Sequence, residues 1–557
     1  MSASPLEAGL RRNARSVAPT WLRQRPIVAS ETLLLAVSLY FTLFSNGQFW
    51  RNVIVAPAVQ WKFAAALFVI ITAVHALLLG LVVHRRYARP LLAVLILVTA
   101  VATYYMGSYG VYLDSDMLRN ILHTDRKESS ELLSWHVLMP LLFASLPIAL
   151  LWRVRLRERP WRRALAIRAG FLAALLLAFT GAAMLSFQDL SSLIRNRREV
   201  RYLVTPANYL VSLARVVTAS PPGSRPAKTP IGQDARQLPQ AAGRKPRLLV
   251  LVVGETARAR NWGLNGYARQ TTPELARLDV INFPDVTACG SSTEVSLPCM
   301  FSPYGRHDYD QKKIRDHQSL LHVLEYAGIH TLWRDNQSGC KGVCEGLAIQ
   351  QLDDARDPAL CNGKRCLDEI LLRGLETALP AGPGDRVVVL HPLGNHGPNY
   401  FERYPAAFGR YSPVCESSDL GACDRQSIVN AYDNALSYTD HVLARLIGQL
   451  GRNASYDTAM IYLSDHGESL GEKGLYLHGV PYAIAPEEQT HVPMVMWLSP
   501  GFAATSRLDV ACLRREAVEP ASQDNLFPSV LGLLDVRTDL YDPDRDLFAG
   551  CRRPVKN

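Results

Sequence analysis

Long runs of apolar residues fill the first third of the chain and disappear after about residue 190. A helix that crosses a hydrocarbon core of about 30 Å needs about 20 such residues. Five runs approach or meet this length, at 27–45, 61–83, 90–108, 136–152 and 169–187, of which the fourth is the shortest. One run alone could be a buried helix of a soluble protein. Five in so short a stretch predict a transmembrane domain of five helices over residues 1–187.

Basic residues mark alternate loops between these runs. The N-terminal segment and the second and fourth loops are rich in arginine (Arg11, Arg12, Arg15, Arg23, Arg25; Arg85, Arg86, Arg89; Arg153, Arg155, Arg157, Arg159, Arg162, Arg163), whereas the other loops hold only Arg51, Arg119, Arg126 and Lys127. Because short cytoplasmic loops collect Lys and Arg, the N-terminus is expected in the cytoplasm and everything after the fifth run in the periplasm. The net charge of +10 lies largely in these loops and needs no nucleic-acid partner.

The start of the chain does not have the features of a cleavable signal peptide. The first apolar run follows 26 residues and lacks a convincing small-residue cleavage site. We therefore expect the first run to remain as a membrane span.

After the last apolar run the pattern changes twice. Residues 188–217 alternate basic and apolar positions, which is typical of helices that lie on a membrane surface. Residues 219–246 are rich in Pro, Gly, Ser and Ala, which predicts a tether. The sequence thus predicts three parts: a transmembrane domain over 1–187, surface helices with a Pro-rich linker over 188–246, and a periplasmic domain over 247–557.

From residue 247 onward, short β-branched runs alternate with longer helical patterns. The clearest strands are 248–253, 387–390, 460–463 and 493–498, and the clearest helices are 319–327 and 427–450. This alternation predicts an α/β fold with a mainly parallel central sheet. In such sheets ligands bind beyond the carboxyl ends of the strands, so polar residues that directly follow a strand are candidates for a functional site.

All ten cysteines lie after residue 288, a distribution that suits an oxidising compartment. Zinc–thiolate ligation is the alternative, but the spacings are irregular and lack histidines at finger-like offsets. Spacing alone does not prove connectivity. Proximity in sequence suggests Cys289 with Cys299, Cys340 with Cys344, Cys361 with Cys366, Cys415 with Cys423, and Cys512 with Cys551.

Two predicted strands lead directly into residues of the types that bind metals. Strand 248–253 is followed by Glu255, and strand 460–463 is followed by Asp465 and His466. Two carboxylates and one imidazole can hold a zinc ion and leave one coordination position open. Each piece alone is more simply a helix cap or a turn, but their presence in one domain favours a metal site.

A candidate nucleophile lies between Cys289 and Cys299. This loop contains four hydroxyl residues, Ser291, Ser292, Thr293 and Ser296. Coordination to zinc would lower the pKa of such a hydroxyl and make it reactive. Thr293, near the middle of the loop, is the candidate, although spacing alone does not choose among hydroxyls that could also cap a helix.

Nine motifs in order along the chain resemble the phosphoethanolamine transferases that modify lipid A and confer polymyxin resistance. They are VGETAR at 253–258, NGY at 265–267, CGSST at 289–293, PCMF at 298–301, WRDN at 333–336, NHGP at 395–398, SDHGESLGE at 464–472, YLHG at 476–479 and EQTHVP at 488–493. The resemblance covers nearly the whole chain. It implies an alkaline-phosphatase-like α/β domain, a zinc site of Glu255, Thr293, Asp465 and His466, and a covalent phosphoethanolamine intermediate on Thr293.

The same resemblance places Ser338, Lys341, His396 and His478 beside the phosphoryl group. Cations suit the negative charge of a transferring phosphoryl, and an imidazole can protonate a leaving alkoxide or bind a second zinc ion. Whether His396 and His478 serve as acids, phosphate ligands or ligands of a second zinc ion stays open.

Asn120, Thr124 and Glu128 are spaced four residues apart between the third and fourth runs. On a helix they would share one face, where Glu128 could oppose an ethanolamine ammonium. An exposed amphipathic helix is the alternative. These positions also resemble the substrate-contacting residues of the family.

The chain departs from the family pattern beside the candidate nucleophile. Ser291 stands where Thr is common, and Glu294 with Val295 replaces a small residue followed by an aromatic one in some relatives. These changes bear on lipid fit and acceptor choice.

The sequence therefore predicts a monomeric enzyme of the bacterial inner membrane. It would move phosphoethanolamine from phosphatidylethanolamine, through Thr293, to a phosphate of lipid A. The alternatives are a transferase that uses another envelope glycan or moves glycerol phosphate, a phosphatase-like or sulfatase-like hydrolase, and a scaffold with an inactive site.

Overall fold

The computed structural model describes residues 25–55, 57–124, 126–219, 227–240, 243–379 and 383–553. The N-terminal arginines up to Arg23 and the tether prolines Pro221, Pro222 and Pro226 lie outside these ranges. The chain forms two compact units, Met1–Tyr104 with His136–Ala207, and Tyr105–Trp135 with Asn208–Asn557. The three-part division at residues 187 and 246 stays a prediction.

The helices are numbered here in chain order. They are α1 (Ser30–Phe44), α2 (Gly47–Val53), α3 (Pro57–Val82), α4 (Ala88–Tyr109), α5 (Ser115–His123), α6 (Arg126–Leu132), α7 (Leu138–Arg153), α8 (Trp161–Leu185), α9 (Phe187–Asn196), α10 (Ala207–Ala219), α11 (Thr293–Met300), α12 (Gln311–Asp316), α13 (Leu320–Tyr326), α14 (Arg425–Gly451), α15 (Glu487–Thr490), α16 (Pro500–Thr505), α17 (Val510–Glu516) and α18 (Leu526–Leu533).

Within the described residues, four helices have the length and apolar character of membrane spans: Pro57–Val82, Ala88–Tyr109, Trp135–Arg153 and Trp161–Leu185. Helices α1 and α2 form a pair bent by 56° that counts as a fifth span if the pair crosses together. Four of the five predicted runs are therefore helices of sufficient length, whereas the first run, 27–45, forms the shorter α1, which a bend separates from α2. At the break the side-chain amide of Asn46 donates to the main-chain oxygens of Phe41 at 2.8 Å and Thr205 at 2.7 Å.

The second unit is built on an eight-stranded sheet. Its strands in chain order are β1 (Arg247–Gly254), β2 (Ile281–Thr287), β3 (His330–Asp335), β4 (Ile349–Gln351), β5 (Arg386–His391), β6 (Asp457–Ser464), β7 (His491–Leu498) and β8 (Ala521–Ser522), and their order across the sheet is β8-β2-β7-β6-β1-β5-β3-β4. Strand β7 runs antiparallel to both of its neighbours, and the other pairings are parallel. The prediction of a mainly parallel sheet is confirmed.

Helices cover both faces of this sheet. The odd-numbered residues of β1 from Leu249 to Val253 pack in one apolar cluster with α11, α13 and α18, and the even-numbered ones pack in a second cluster with α14. Because side chains alternate between the two faces of a strand, a strand buried on both faces typically has an unbroken apolar run. This explains why β1 could be predicted from its sequence.

The predicted strands correspond to β1, β5, β6 and β7, and the predicted helices correspond to α13 and α14. Strand β3 was not predicted, because its buried Arg334 and Asp335 interrupt the apolar pattern. Arg334 donates to the main-chain oxygen of the distant Arg373. Asp335 contacts the ring of the distant His391 and also accepts from three groups within four residues of it in the chain. All ten cysteines form the five predicted disulfides, so that prediction is confirmed.

Candidate active site

Two parallel central strands bring three metal-binding residue types together. Gly254 at the end of β1 lies opposite Ser464 at the end of β6, so Glu255 leaves the sheet beside Asp465 and His466. The main-chain N–H of Asp465 donates to the main-chain oxygen of Gly254 at 2.8 Å, which keeps the two segments in register beyond the sheet. All three side chains are buried. The predicted convergence at the carboxyl end of the sheet is present.

Thr293 begins α11, and its hydroxyl points into this cluster. Its Oγ1 donates to Oε2 of Glu255 at 3.1 Å and lies 3.2 Å from Nε2 of His466. The other ring nitrogen of His466, Nδ1, donates to the main-chain oxygen of Gly467 at 2.8 Å, so the lone pair of Nε2 faces the hydroxyl. Ser291, by contrast, donates to the main-chain oxygen of Val480 at 2.6 Å.

The cluster has the features of a cation site. The ligand atoms of Glu255, Asp465 and His466 all lie within 4.8 Å of one another. Oε1 of Glu255 and Oδ2 of Asp465 are buried and have no hydrogen-bond partner among the described residues. Unpaired buried charge is costly, and two carboxylate oxygens with one imidazole nitrogen are ligands that zinc accepts. These residues therefore fit a zinc ion.

The pKa shifts in this cluster have one main cause, which is burial. Burial and the nearby Asp465 raise the pKa of Glu255, and burial raises the pKa of Asp465 to about 6. Burial likewise lowers the pKa of His466. Each shift favours the neutral form, and a bound cation would reverse the two carboxyl shifts because it stabilises the anions.

Two more histidines lie beside the cluster. The ring centroid of His478 is 4.4 Å from that of His466 and 5.5 Å from that of His396. Nδ1 of His478 donates to Oε2 of the buried Glu468 at 2.8 Å. Burial acts to lower the pKa of His478, but the Glu468 carboxylate outweighs it and raises that pKa.

Glu128 reaches the same place from the segment Tyr105–Trp135. Its Oε1 lies 3.3 Å from Nε2 of His396. Burial acts to raise the pKa of Glu128, but the hydrogen bond and charge of His396 lower it to about 2. Nearby, Nζ of Lys341 donates to Oγ of Ser338 at 2.8 Å, which brings those two predicted residues together.

The expectation that Asn120, Thr124 and Glu128 share one face of a single helix is wrong. Helix α5 ends at His123, and Thr124 is extended, with its hydroxyl donating to the main-chain oxygen of Asn120 at 2.6 Å. Helix α6 then begins at Arg126. The threonine hydroxyl satisfies a carbonyl at the helix end, which favours a stop at this point.

Sequence reasoning assigned no role to Gln337 or Glu468. The side-chain amide of Gln337 donates to Oε2 of Glu255, and Glu468 accepts from His478 and, at 2.6 Å, from the hydroxyl of Tyr400. Both residues follow strand ends by a few positions, after β3 and β6. Glu468 follows the same strand as Asp465 and could have been assigned a role by the same rule, whereas Gln337 was missed because β3 was not predicted.

The fold and the site together define a sulfatase-type enzyme carried by an N-terminal membrane part. Residues 247–536 match the Sulfatase family profile, and residues 71–220 match the profile described as Phosphoethanolamine transferase EptA/EptB. The chain is 36% identical over 542 residues to Phosphoethanolamine transferase EptA of Escherichia coli strain K12. This alignment covers 96% of this chain and 99% of the relative. It belongs to the phosphoethanolamine transferase family.

Two further relatives support this assignment. Phosphatidylethanolamine transferase Mcr-1 of Escherichia coli is 36% identical over 543 residues, covering 95% of this chain and 98% of its own length. The solved integral membrane protein lipooligosaccharide phosphoethanolamine transferase A (EptA) from Neisseria meningitidis has 36% identity and a TM-score of 0.90, covering 95% of this chain and all of that chain (100%). The resemblance inferred from the motifs is confirmed.

Proposed function

We propose that this protein transfers phosphoethanolamine from phosphatidylethanolamine to a phosphate of lipid A. The observation that carries the proposal is the contact of the Thr293 hydroxyl with Glu255 and His466 at the ends of β1 and β6. The names of two relatives support the donor and the acceptor class, a phosphatidylethanolamine transferase and a lipooligosaccharide phosphoethanolamine transferase. The addition would reduce the negative charge of the envelope and so confer resistance to polymyxin.

Thr293 is the proposed nucleophile of two successive displacements. The hydroxyl gives up its proton as Oγ1 attacks the phosphorus of the donor, the bond from phosphorus to the diacylglycerol oxygen breaks, and that oxygen takes up one proton. A hydroxyl of the acceptor phosphate then gives up its proton as its oxygen attacks the same phosphorus, the bond to Thr293 breaks, and the threonine oxygen regains one proton. The contact with Glu255 orients the hydroxyl before the first step.

The proposed zinc ligands are Glu255, Thr293, Asp465 and His466. Zinc held there would supply Lewis acidity that lowers the pKa of the Thr293 hydroxyl. Among the protein groups, His478 is suited to protonate the leaving oxygen, because Glu468 raises the pKa of its imidazole. Ligation of a second zinc ion by His396 and His478 is the alternative role for this pair.

The proposed donor headgroup site lies between Glu128 and the phosphoryl-binding cations. Glu128 is ionised at neutral pH, since its pKa is lowered to about 2, and it can oppose the ethanolamine ammonium. Lys341, held by Ser338, would face the phosphoryl oxygens together with His396. Asn120 and Thr124 complete the proposed set at the end of α5.

The membrane topology follows from the loop charges. We place the protein in the bacterial inner membrane as a monomer with a cytoplasmic N-terminus and a periplasmic catalytic domain. The five disulfides agree with an oxidising compartment. A reporter phosphatase that is active only in the periplasm should be active when fused after residue 557, and an inactive but expressed fusion would contradict this orientation.

Expression in a polymyxin-sensitive bacterium tests the transfer itself. Lipid A from cells that express the wild-type chain should gain the mass of one phosphoethanolamine group, detected by mass spectrometry. Unmodified lipid A together with a modified envelope glycan would favour the alternative acceptor. Free phosphoethanolamine without any modified acceptor would indicate a hydrolase.

A further inference from the structure

Glu294, the residue after the proposed nucleophile, is a buried carboxylate. Its side chain is 1% exposed. Its Oε1 accepts from Nδ1 of His123 at 2.8 Å and from Nη2 of Arg315 at 2.6 Å, while Oε2 has no hydrogen-bond partner among the described residues. A buried carboxylate is tolerated only when it is paired, so these two partners determine what Glu294 does.

His123 connects Glu294 to the proposed donor site. It is the last residue of α5, and the break between α5 and α6 follows it directly. Thr124 lies at this break, and Glu128 lies in the first turn of α6. The position of His123 therefore sets where the chain turns before it delivers Glu128 to His396.

Other polar contacts hold the rest of the segment at its two ends. At the start of α5, Asp116 accepts from the side-chain amide of Gln311 and pairs with Arg119 of the same helix. In α6, Lys127 pairs with Asp353 and Glu131 pairs with Arg365 and Arg403. The bond between His123 and Glu294 ties the middle of the segment, next to the nucleophile helix α11.

Arg315 contacts the main chain of Glu294 as well as its side chain, so attachment of α11 does not depend on the carboxylate. Its Nη2 donates at 2.6 Å to the main-chain oxygen of Glu294 as well as to the carboxylate. The main-chain bond remains when the side chain is removed, so α11 stays attached to Arg315. His123 has no such second bond to Glu294 and is 43% exposed, so its release leaves no unpaired buried imidazole.

We infer that Glu294 is a positioning residue for the donor headgroup. Its bond to His123 holds the break between α5 and α6 in place, so that Glu128 lies against His396 when the donor binds. The inference rests on the proposed function and deepens it, because it names a specificity-determining contact of the same site. Its consequence is an effect on the KM for the donor that exceeds the effect on kcat.

The test measures diacylglycerol release by the full-length chain in detergent micelles. The substrate is phosphatidylethanolamine labelled on an acyl chain, which leaves the ammonium free. Glu294→Ala and His123→Ala should each raise the KM for this lipid about tenfold, as loss of one charge-assisted hydrogen bond implies, with kcat within about threefold of wild type. The double variant should show about the same KM as either single variant, because both remove one interaction.

Three further variants calibrate this result. Glu294→Gln keeps an acceptor oxygen for His123 and should raise the KM less than Glu294→Ala does. Glu128→Gln removes the proposed counter-charge of the ammonium and should raise the same KM. His330→Ala is the matched control, because His330 makes a similar pair with Glu325 at the amino end of β3, at 3.2 Å, and its loss should leave both constants unchanged.

A fall in kcat with unchanged KM in Glu294→Ala and His123→Ala would overturn the inference and assign Glu294 to support of α11. Independent effects, seen as a KM about a hundredfold higher in the double variant, would overturn it as well. If Glu294→Ala does not fold, the test uses Glu294→Gln and His123→Ala, because the side chain of His123 is half-exposed and its removal leaves no large cavity. A wild-type chain that releases no diacylglycerol would instead reject the proposed function itself.

Discussion

Replacement of Thr293 by alanine should lower the rate of phosphoethanolamine transfer by about 10⁴-fold, to near the background of the assay. This hydroxyl is the proposed nucleophile, and its Oγ1 lies 3.1 Å from Glu255 and 3.2 Å from His466. Without it the two displacements have no covalent carrier. The measurement is the mass of lipid A from cells that express the variant at the level of wild type.

Ser296 provides a matched control for Thr293. It lies in the same helix α11 and is fully buried, so Ser296→Ala tests whether removal of any buried hydroxyl from this helix has the same effect. Transfer by Ser296→Ala should stay within about threefold of wild type, since no reacting atom is lost. A phosphoethanolamine adduct mapped to Ser296, or full transfer by Thr293→Ala, would reject the nucleophile assignment.

Amide substitutions of the two buried carboxylates should remove zinc and activity together. Glu255→Gln and Asp465→Asn keep the side-chain shape but lose the anionic ligand oxygen. Loss of an outer partner of a metal ligand already costs about 10- to 100-fold in metal affinity, so loss of a ligand itself should cost at least as much. Zinc per purified chain, measured by elemental analysis, and transfer activity should both fall.

Although zinc content and activity should fall, the thermal stability of the metal-free chain should rise in Asp465→Asn. Burial raises the pKa of Asp465 to about 6, from 3.8 in an unfolded chain. Folding thus favours the protonated form. The resulting contribution of Asp465 to the free energy of unfolding is complete below about pH 4 and is lost as the pH rises through 6. After treatment with a chelator, Asp465→Asn should therefore unfold at a higher temperature than wild type at pH 8, with a smaller difference at pH 4.

An acidic residue outside the cluster separates ligand loss from a general loss of charge. Glu488 pairs at 2.8 Å with Arg260, whose side chain is 63% exposed. Glu488→Gln should retain zinc, activity and the pH dependence of wild type. If Glu255→Gln and Asp465→Asn retain their full zinc content, the zinc ion must be bound by other residues.

Most of the fold could be predicted because its signals are local. A membrane span needs only enough consecutive apolar residues, and the middle of β1, β5 and β6 is an unbroken apolar run because helices cover both faces of the sheet. The bend between α1 and α2 could not be predicted in this way, since the side chain of Asn46 there bonds to Thr205, which is 159 residues away. Strand β3 was missed for a related reason, because its buried Arg334 and Asp335 interrupt the apolar pattern and each has a partner that is distant in sequence.

The residues of the candidate site could also be predicted only in part. The residues beyond β1 and β6 could be placed together from sequence, because the carboxyl ends of parallel strands meet at one edge of a sheet. Thr293 was chosen over Ser291 through the family resemblance, and the structure adds a physical reason, since the two hydroxyls of one loop point to different partners. The single helical face expected for Asn120, Thr124 and Glu128 was wrong, because the end of α5 depends on a side-chain contact that regular spacing does not reveal.

The apolar membrane part, the mainly parallel α/β domain and the ligand-type residues after its central strands can all be inferred from the order of amino acids. Hydrophobic length, strand periodicity and adjacency to a strand end are properties of neighbouring residues. The contacts of Glu128 with His396 and of Glu294 with His123 cannot be inferred in this way, because the partners are separated by 268 and 171 positions. Such contacts arise from packing of distant segments, and the identity of one partner places no local constraint on where the other lies in the chain.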